Sequence, residues 1–107
     1  MSELPRLVIL AEGQLDFEHA KTAAGVIRYA PDRVEAVLDS TRAGRTTGEV
    51  LGIGGDTPVV AALDDLPPGA DPDALLVGIA PVGGGLPDEW RPVLRDALRR
   101  GLDLWSG

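Results

Sequence analysis

The 107-residue chain contains no cysteine. Disulfides, thiolate metal sites and cysteine nucleophiles are therefore excluded. Histidine occurs once, at His19, and lysine once, at Lys21. A metal centre needs several ligands; no second histidine exists and no clustered Asp motif replaces it, so no metal is expected. Aromatic residues are only 4% of the chain, and the 44% hydrophobic share is carried by Ala, Val, Leu and Ile. No apolar run reaches the roughly 18 residues of a membrane span. The N-terminus "MSELPRLVIL" lacks a basic region ahead of its apolar run, so no signal peptide is expected. Positive charge is scarce as well: ten cations face seventeen carboxylates, for a net charge of −7. An acidic domain of this kind has no general attraction for nucleic acid or for a membrane surface. Two phosphate-binding fingerprints are missing: no G-x-G-x-x-G follows the first strand, and no G-x-x-x-x-G-K-[ST] occurs anywhere. The first absence argues against a stand-alone NAD oxidoreductase. The default is one soluble, cytoplasmic domain.

What is present is an alternation of strands and helices. "RLVILAE" (6–12) is a continuous aliphatic run of strand length, suited to burial on both faces. Asp16 is a candidate N-cap, and Phe17, Ala20, Ala24 and Ile27 recur at helical spacing, which predicts a helix over residues 17–29 stopped by Pro31. "VEAVLD" (34–39) predicts a second strand. Thr46 and Glu49 have capping-box spacing, and Gly52 limits that helix to about one turn. "GIGGDTP" predicts a loop, "VVAAL" (59–63) a short strand, and "ALLVGIA" (74–80) a buried strand. After it, Pro87, Asp88 and Glu89 suit a helix start. Trp90, Val93, Leu94, Ala97 and Leu98 form an apolar stripe, Gly101 is a natural C′ residue, and Pro92 removes a donor and should tighten or kink the first turns. "LDLW" (102–105) closes the series as a fifth strand. Right-handed crossovers then give an α/β fold: a small Rossmann-like open parallel sheet of about five strands flanked by helices.

In such sheets ligands bind beyond the carboxyl ends of the strands, where strand order reverses. With order 3-2-1-4-5, strands one and four are neighbours. Glu12 and Gly13, after strand one, and Gly83, Gly84 and Gly85, after strand four, then share a crevice. The three glycines have two readings: a sharp corner, or a bare backbone that lets N–H groups approach an anion. Asp39 is either a ribose ligand or a loop cap. Ser40, Thr41, Thr46, Thr47, Arg42 and Arg45 form a polar loop that either clamps a phosphate or is solvated. Lys21 and Thr22, one turn into the first helix, are candidates for holding an anion. His19 with Asp16 or Glu18 has no nucleophile nearby, so no catalytic residue is assigned.

The segments "AKTAAGVIRY", "VLDSTRAGRTTGEVLGIGG" and "APVGGGLPDEWR" resemble the N-terminal domain of the DgcN-type family, long known as a domain of unknown function. The similarity runs over essentially the whole chain. It implies a Rossmann-like domain paired with a C-terminal P-loop domain, in an enzyme that N-acetylates D-glutamate in D-amino-acid catabolism. The pattern is more distantly similar to the CoA-binding domain of succinyl-CoA ligases. There, loops after strands one and two cradle CoA, and Gly13, Ser40 and Thr41 stand at roughly those places. The ligases' glycine-rich first loop is replaced here by "AEGQLDFEHAKT". The chain ends at "WSG", directly after a core strand, so it is expected to be the first domain of a longer two-domain protein and inactive alone. The expected ligand is a small acidic molecule or an acyl-CoA, with acetyl-CoA or a nucleotide belonging to the longer protein. The alternative is a scaffold that contributes an inter-domain or homo-oligomer surface, with Trp90 and Trp105 as contact points.

Overall fold

The computed structural model of the chain describes residues 5–13, 15, 20–78 and 88–106. Its strands are β1 (Leu7–Leu10), β2 (Val34–Leu38), β3 (Val59–Val60), β4 (Ala74–Val77) and β5 (Asp103–Ser106). Its helices are α1 (Lys21–Tyr29), α2 (Thr47–Leu51) and α3 (Arg91–Arg99). All strand pairs are parallel, in the order β3-β2-β1-β4-β5. The expected Rossmann-like sheet is therefore what forms, with strand order reversing between β1 and β4.

Burial explains why β1 holds the centre. Leu7, Val8, Ile9 and Leu10 are all buried, because β2 and β4 flank the strand and its two faces are both covered. Each such side chain contributes about 1.5–3 kcal/mol when fully buried. Ile9 lies opposite Val37 and Leu76, and Val8 opposite Ala36 and Leu75, so the aliphatic runs meet in register. Right-handed crossovers put α1 and α3 on opposite faces of this sheet.

The helix ends follow local chemistry closely. Thr46 and Glu49 form a reciprocal capping box at α2, and Gly52 ends it in the left-handed region at φ 74°. In α3, Pro92 falls in the first turn, where no donor is lost, and a 3₁₀ turn at Asp88–Trp90 precedes it. Gly101, at φ 81°, closes α3 in a Schellman motif: its N–H donates to Leu98 O at 3.0 Å, and Leu102 N–H donates to Ala97 O at 3.0 Å.

Three details differ from the sequence reading. α1 begins at Lys21 rather than residue 17, because Ala20 has the non-helical angles φ −114° and ψ 48°; Asp16 and Phe17 lie outside the described residues. Leu98 is 59% exposed, so the α3 stripe ends at Ala97. The tryptophans divide: Trp90 is core, whereas Trp105, on the edge strand β5, is 38% exposed.

The amino-end rim of the sheet is stitched shut. Arg6 N–H donates to Asp73 Oδ2 at 2.9 Å, Arg33 Nε donates to Pro5 O at 3.0 Å, and Arg6 pairs with Glu35. The hydrogen bond and charge of Glu35 hold the Arg6 guanidinium above its ordinary pKa, so it stays cationic at any working pH. The outer side of β3 is closed too: Gly44 N–H donates to Val59 O at 2.9 Å, and Val59 N–H donates to Arg45 O at 2.8 Å. Among the described residues, the outer side of β5 pairs with nothing.

Candidate functional site

The carboxyl-end rim is built by two loops that reach across to each other. β1 runs out through Ala11, whose N–H donates to Leu38 O at 3.0 Å, into Glu12 and Gly13. Gly13 turns the chain at φ 72°. Its N–H then donates to Asp39 Oδ1, just past β2, at 3.0 Å. In the opposite sense, the Glu12 carboxylate accepts Ser40 N–H at 2.8 Å and also Ser40 Oγ–H. Two crossed carboxylates thus lock the β1 loop to the β2 loop.

Asp39 is fully buried and heavily engaged. Besides Gly13, its Oδ1 accepts Thr41 N–H at 3.0 Å and Thr41 Oγ1–H at 2.6 Å, which caps the 3₁₀ turn Ser40–Arg42. Its Oδ2 faces Arg42 Nη1 at 3.4 Å. These contacts match the loop-capping reading of Asp39.

α1 starts at the same rim. Its third N–H, from Ala23, donates to Gly78 O just beyond β4, at 3.2 Å. Among the described residues no side chain caps this terminus, and no acidic residue stands in its first turn. Lys21 and Thr22 occupy that turn and are exposed. A nine-residue helix presents partial positive charge at its N-terminus, and here a lysine adds to it. The rim therefore collects Glu12, Gly13, Lys21, Thr22, Asp39, Ser40 and Thr41 from three segments. Because β4 is the parallel neighbour of β1, the segment after β4 leaves at this rim as well. Gly83, Gly84 and Gly85 lie outside the described residues, as does His19.

A dinucleotide or CoA pyrophosphate is usually cradled by free backbone N–H groups of the first loop. Here the Gly13 N–H is already bonded to a carboxylate. That one donor is therefore taken. Among the described residues, no group of three or more His, Cys, Asp or Glu side chains could hold a metal ion. None of the described helices is long and apolar enough to cross a membrane.

One residue important to this rim was not singled out from sequence. Gly78 lets α1 approach the sheet, since a Cβ there would sit 2.7 Å from the Ala23 Cβ. Its signal was present: an isolated glycine inside the run "ALLVGIA" marks a close backbone approach.

Comparisons with known proteins agree with this architecture. Residues 40–107 match the family model described as "Domain of unknown function (DUF1611_N) Rossmann-like domain". A D-glutamate N-acetyltransferase from Tritonibacter scottomollicae is 29% identical over 107 residues, an alignment covering 100% of this chain and 29% of that protein. A crystal structure of a DUF1611 family protein from Anabaena variabilis superposes with a TM-score of 0.79 at 32% identity, over 94% of this chain and 29% of that one. The chain thus spans 29% of the length of each of these relatives. A Rossmann-like sheet in the order described, together with a family match over most of its length, makes this chain a member of the DUF1611_N family.

Proposed function

We propose that this domain is the N-terminal ligand-binding part of a longer, cytoplasmic, DgcN-like enzyme that N-acylates D-glutamate or a related acidic amino acid. The carrying observation is the N-terminus of α1, which no described side chain caps, with Lys21 and Thr22 beside the β1 and β2 loops. A terminus without its own carboxylate cap favours a carboxylate from outside. The relative named as a D-glutamate N-acetyltransferase supports an acidic amino acid as that ligand. Because Asp39 takes the Gly13 N–H, the acyl-CoA is assigned to the remainder of the longer protein, with its P-loop domain. The isolated domain is then inactive. Gly83, Gly84 and Gly85, outside the described residues, are included in the proposed ligand site on the sequence pattern alone.

The test is calorimetry of the longer enzyme with D-glutamate and with acetyl-CoA. Lys21→Ala is expected to weaken D-glutamate by about tenfold, the range of one charge-assisted contact, and to leave the melting temperature unchanged. Gly84→Val is expected to weaken it further. Unchanged affinity in both variants rejects the site.

One observation favours a second reading, a scaffold without its own ligand. Leu104 and Trp105 are 40% and 38% exposed on β5, whose outer side is unpaired among the described residues. Sedimentation of the 107-residue chain separates the two. A dimer that Trp105→Ala converts to monomer supports the scaffold, and a monomer in both forms supports the ligand domain.

A further inference from the structure

We propose that the turn over residues 42–45 forms, with Thr41 and Val50, a binding subsite for the phosphoryl group of a small phosphorylated molecule. The turn is of type II. Ala43 has φ −58° and ψ 142°, Gly44 has φ 90°, and Arg45 N–H donates to Arg42 O at 3.3 Å. Such a turn brings its first and last Cα atoms to within about 7 Å. Here those residues are two arginines. The turn is also fixed in place, because the residues on either side of its last peptide, Gly44 and Arg45, hold both backbone groups of Val59.

Two neighbouring guanidiniums repel each other, and one is only partly neutralised. Arg42 Nη1 donates to Asp39 Oδ2 at 3.4 Å and to Thr41 Oγ1 at 3.2 Å. Its Nε and Nη2 hydrogens have no acceptor among the described residues. Arg45 is exposed and has no side-chain acceptor among them at all. Elsewhere in this acidic chain Arg6, Arg91 and Arg100 are paired with carboxylates. Arg42, with its one pairing to Asp39, and Arg45, unpaired among the described residues, line one cleft of about 430 Å³ with Thr41 and Val50. That volume falls in the range of small-molecule sites. Guanidinium forks match the oxygens of a phosphoryl group, often two at a time. Val50 gives the cleft one apolar wall for the organic part of the ligand.

This subsite goes beyond the acidic-ligand reading and does not depend on it; the two share only Thr41. The probe is pyrophosphate, titrated calorimetrically into the 107-residue chain at constant ionic strength. Inorganic phosphate and glycerol phosphate are run in parallel, to tell a free anion from an ester, and acetate serves as the carboxylate control. Saturable binding of at least one phosphoryl probe is expected, with none for acetate. Arg45→Gln changes an exposed residue and should fold normally; it is expected to weaken binding by about tenfold or more, as loss of a charged hydrogen-bonding partner does. Arg95→Gln, which removes an exposed cation from α3, is expected to leave it unchanged. The proposal is overturned if no phosphoryl probe saturates, if acetate binds equally, or if Arg95→Gln weakens binding as much as Arg45→Gln. It is likewise overturned if Arg45→Gln has no effect. Failure of Lys21→Ala in the D-glutamate titration bears on the rim alone.

Discussion

Gly78→Ala is expected to destabilise the domain by about 2–3 kcal/mol, the upper range for forcing a methyl group into a packed core. The added Cβ would lie 2.6 Å from Ile9 Cγ2, 2.7 Å from Ala23 Cβ and 3.3 Å from Ala23 Cα. None of these neighbours is the loose end of a flexible chain. Ile9 and Ala23 are both fully buried, so relief requires α1 to lift from the sheet. That movement would also stretch the 3.2 Å bond from Ala23 N–H to Gly78 O, which seats the start of α1. Urea unfolding with an unchanged slope measures the loss. Gly25→Ala is the matched control: nothing lies within 4 Å of its Cβ position, and it sits inside α1. There alanine should raise stability by up to about 1 kcal/mol through helix propensity. Equal stability of Gly78→Ala and the wild type would refute the close approach.

The second large effect is expected at Asp39. Its carboxylate holds the backbone of the β1 loop through Gly13, its own turn through Thr41, and the Arg42 side chain. Asp39→Ala leaves two backbone donors and a hydroxyl without their acceptor at a buried position. A cost of roughly 3 kcal/mol or more is expected for breaking such a network. Asp39→Asn keeps one oxygen acceptor and loses the charge, so about half that cost is expected. For a domain whose total stability is of order 5–15 kcal/mol, the alanine variant should melt many degrees lower. The amide signals of Gly13 and Thr41 should shift together in both variants. If Gly13 stays unperturbed, the two loops are not joined through this side chain.

These two positions also separate what sequence patterns carry from what they do not. The aliphatic runs of β1 and β4 announce strands buried on both sides, and right-handed winding then limits how they can be ordered. Capping chemistry is local, so Thr46, Glu49, Gly52, Pro92 and Gly101 act where their spacing says they should. The start of α1 at Lys21 is the less legible boundary, because among the described residues nothing local holds it. Ala20 offers no cap, and the terminus is seated instead by Gly78, more than fifty residues away in the chain. The candidate rim was legible as a set of loops at one end of the sheet. Its internal wiring was not: Glu12 with Ser40 and Asp39 with Gly13 are separated by 28 and 26 residues, and no periodicity encodes such pairs. For the same reason Asp39 reads as a plausible ligand in sequence and as a brace in the fold.

The asymmetry of the sheet's two margins has a consequence for assembly. Any extended segment joining this sheet beside β3 must first displace Gly44 and Arg45 from Val59, giving up two backbone bonds and dismantling the arginine turn. Joining beside β5 requires no such exchange and covers Leu104 and Trp105 as it forms. Among the described residues, a strand added on the Trp105 side would therefore break no existing backbone bond.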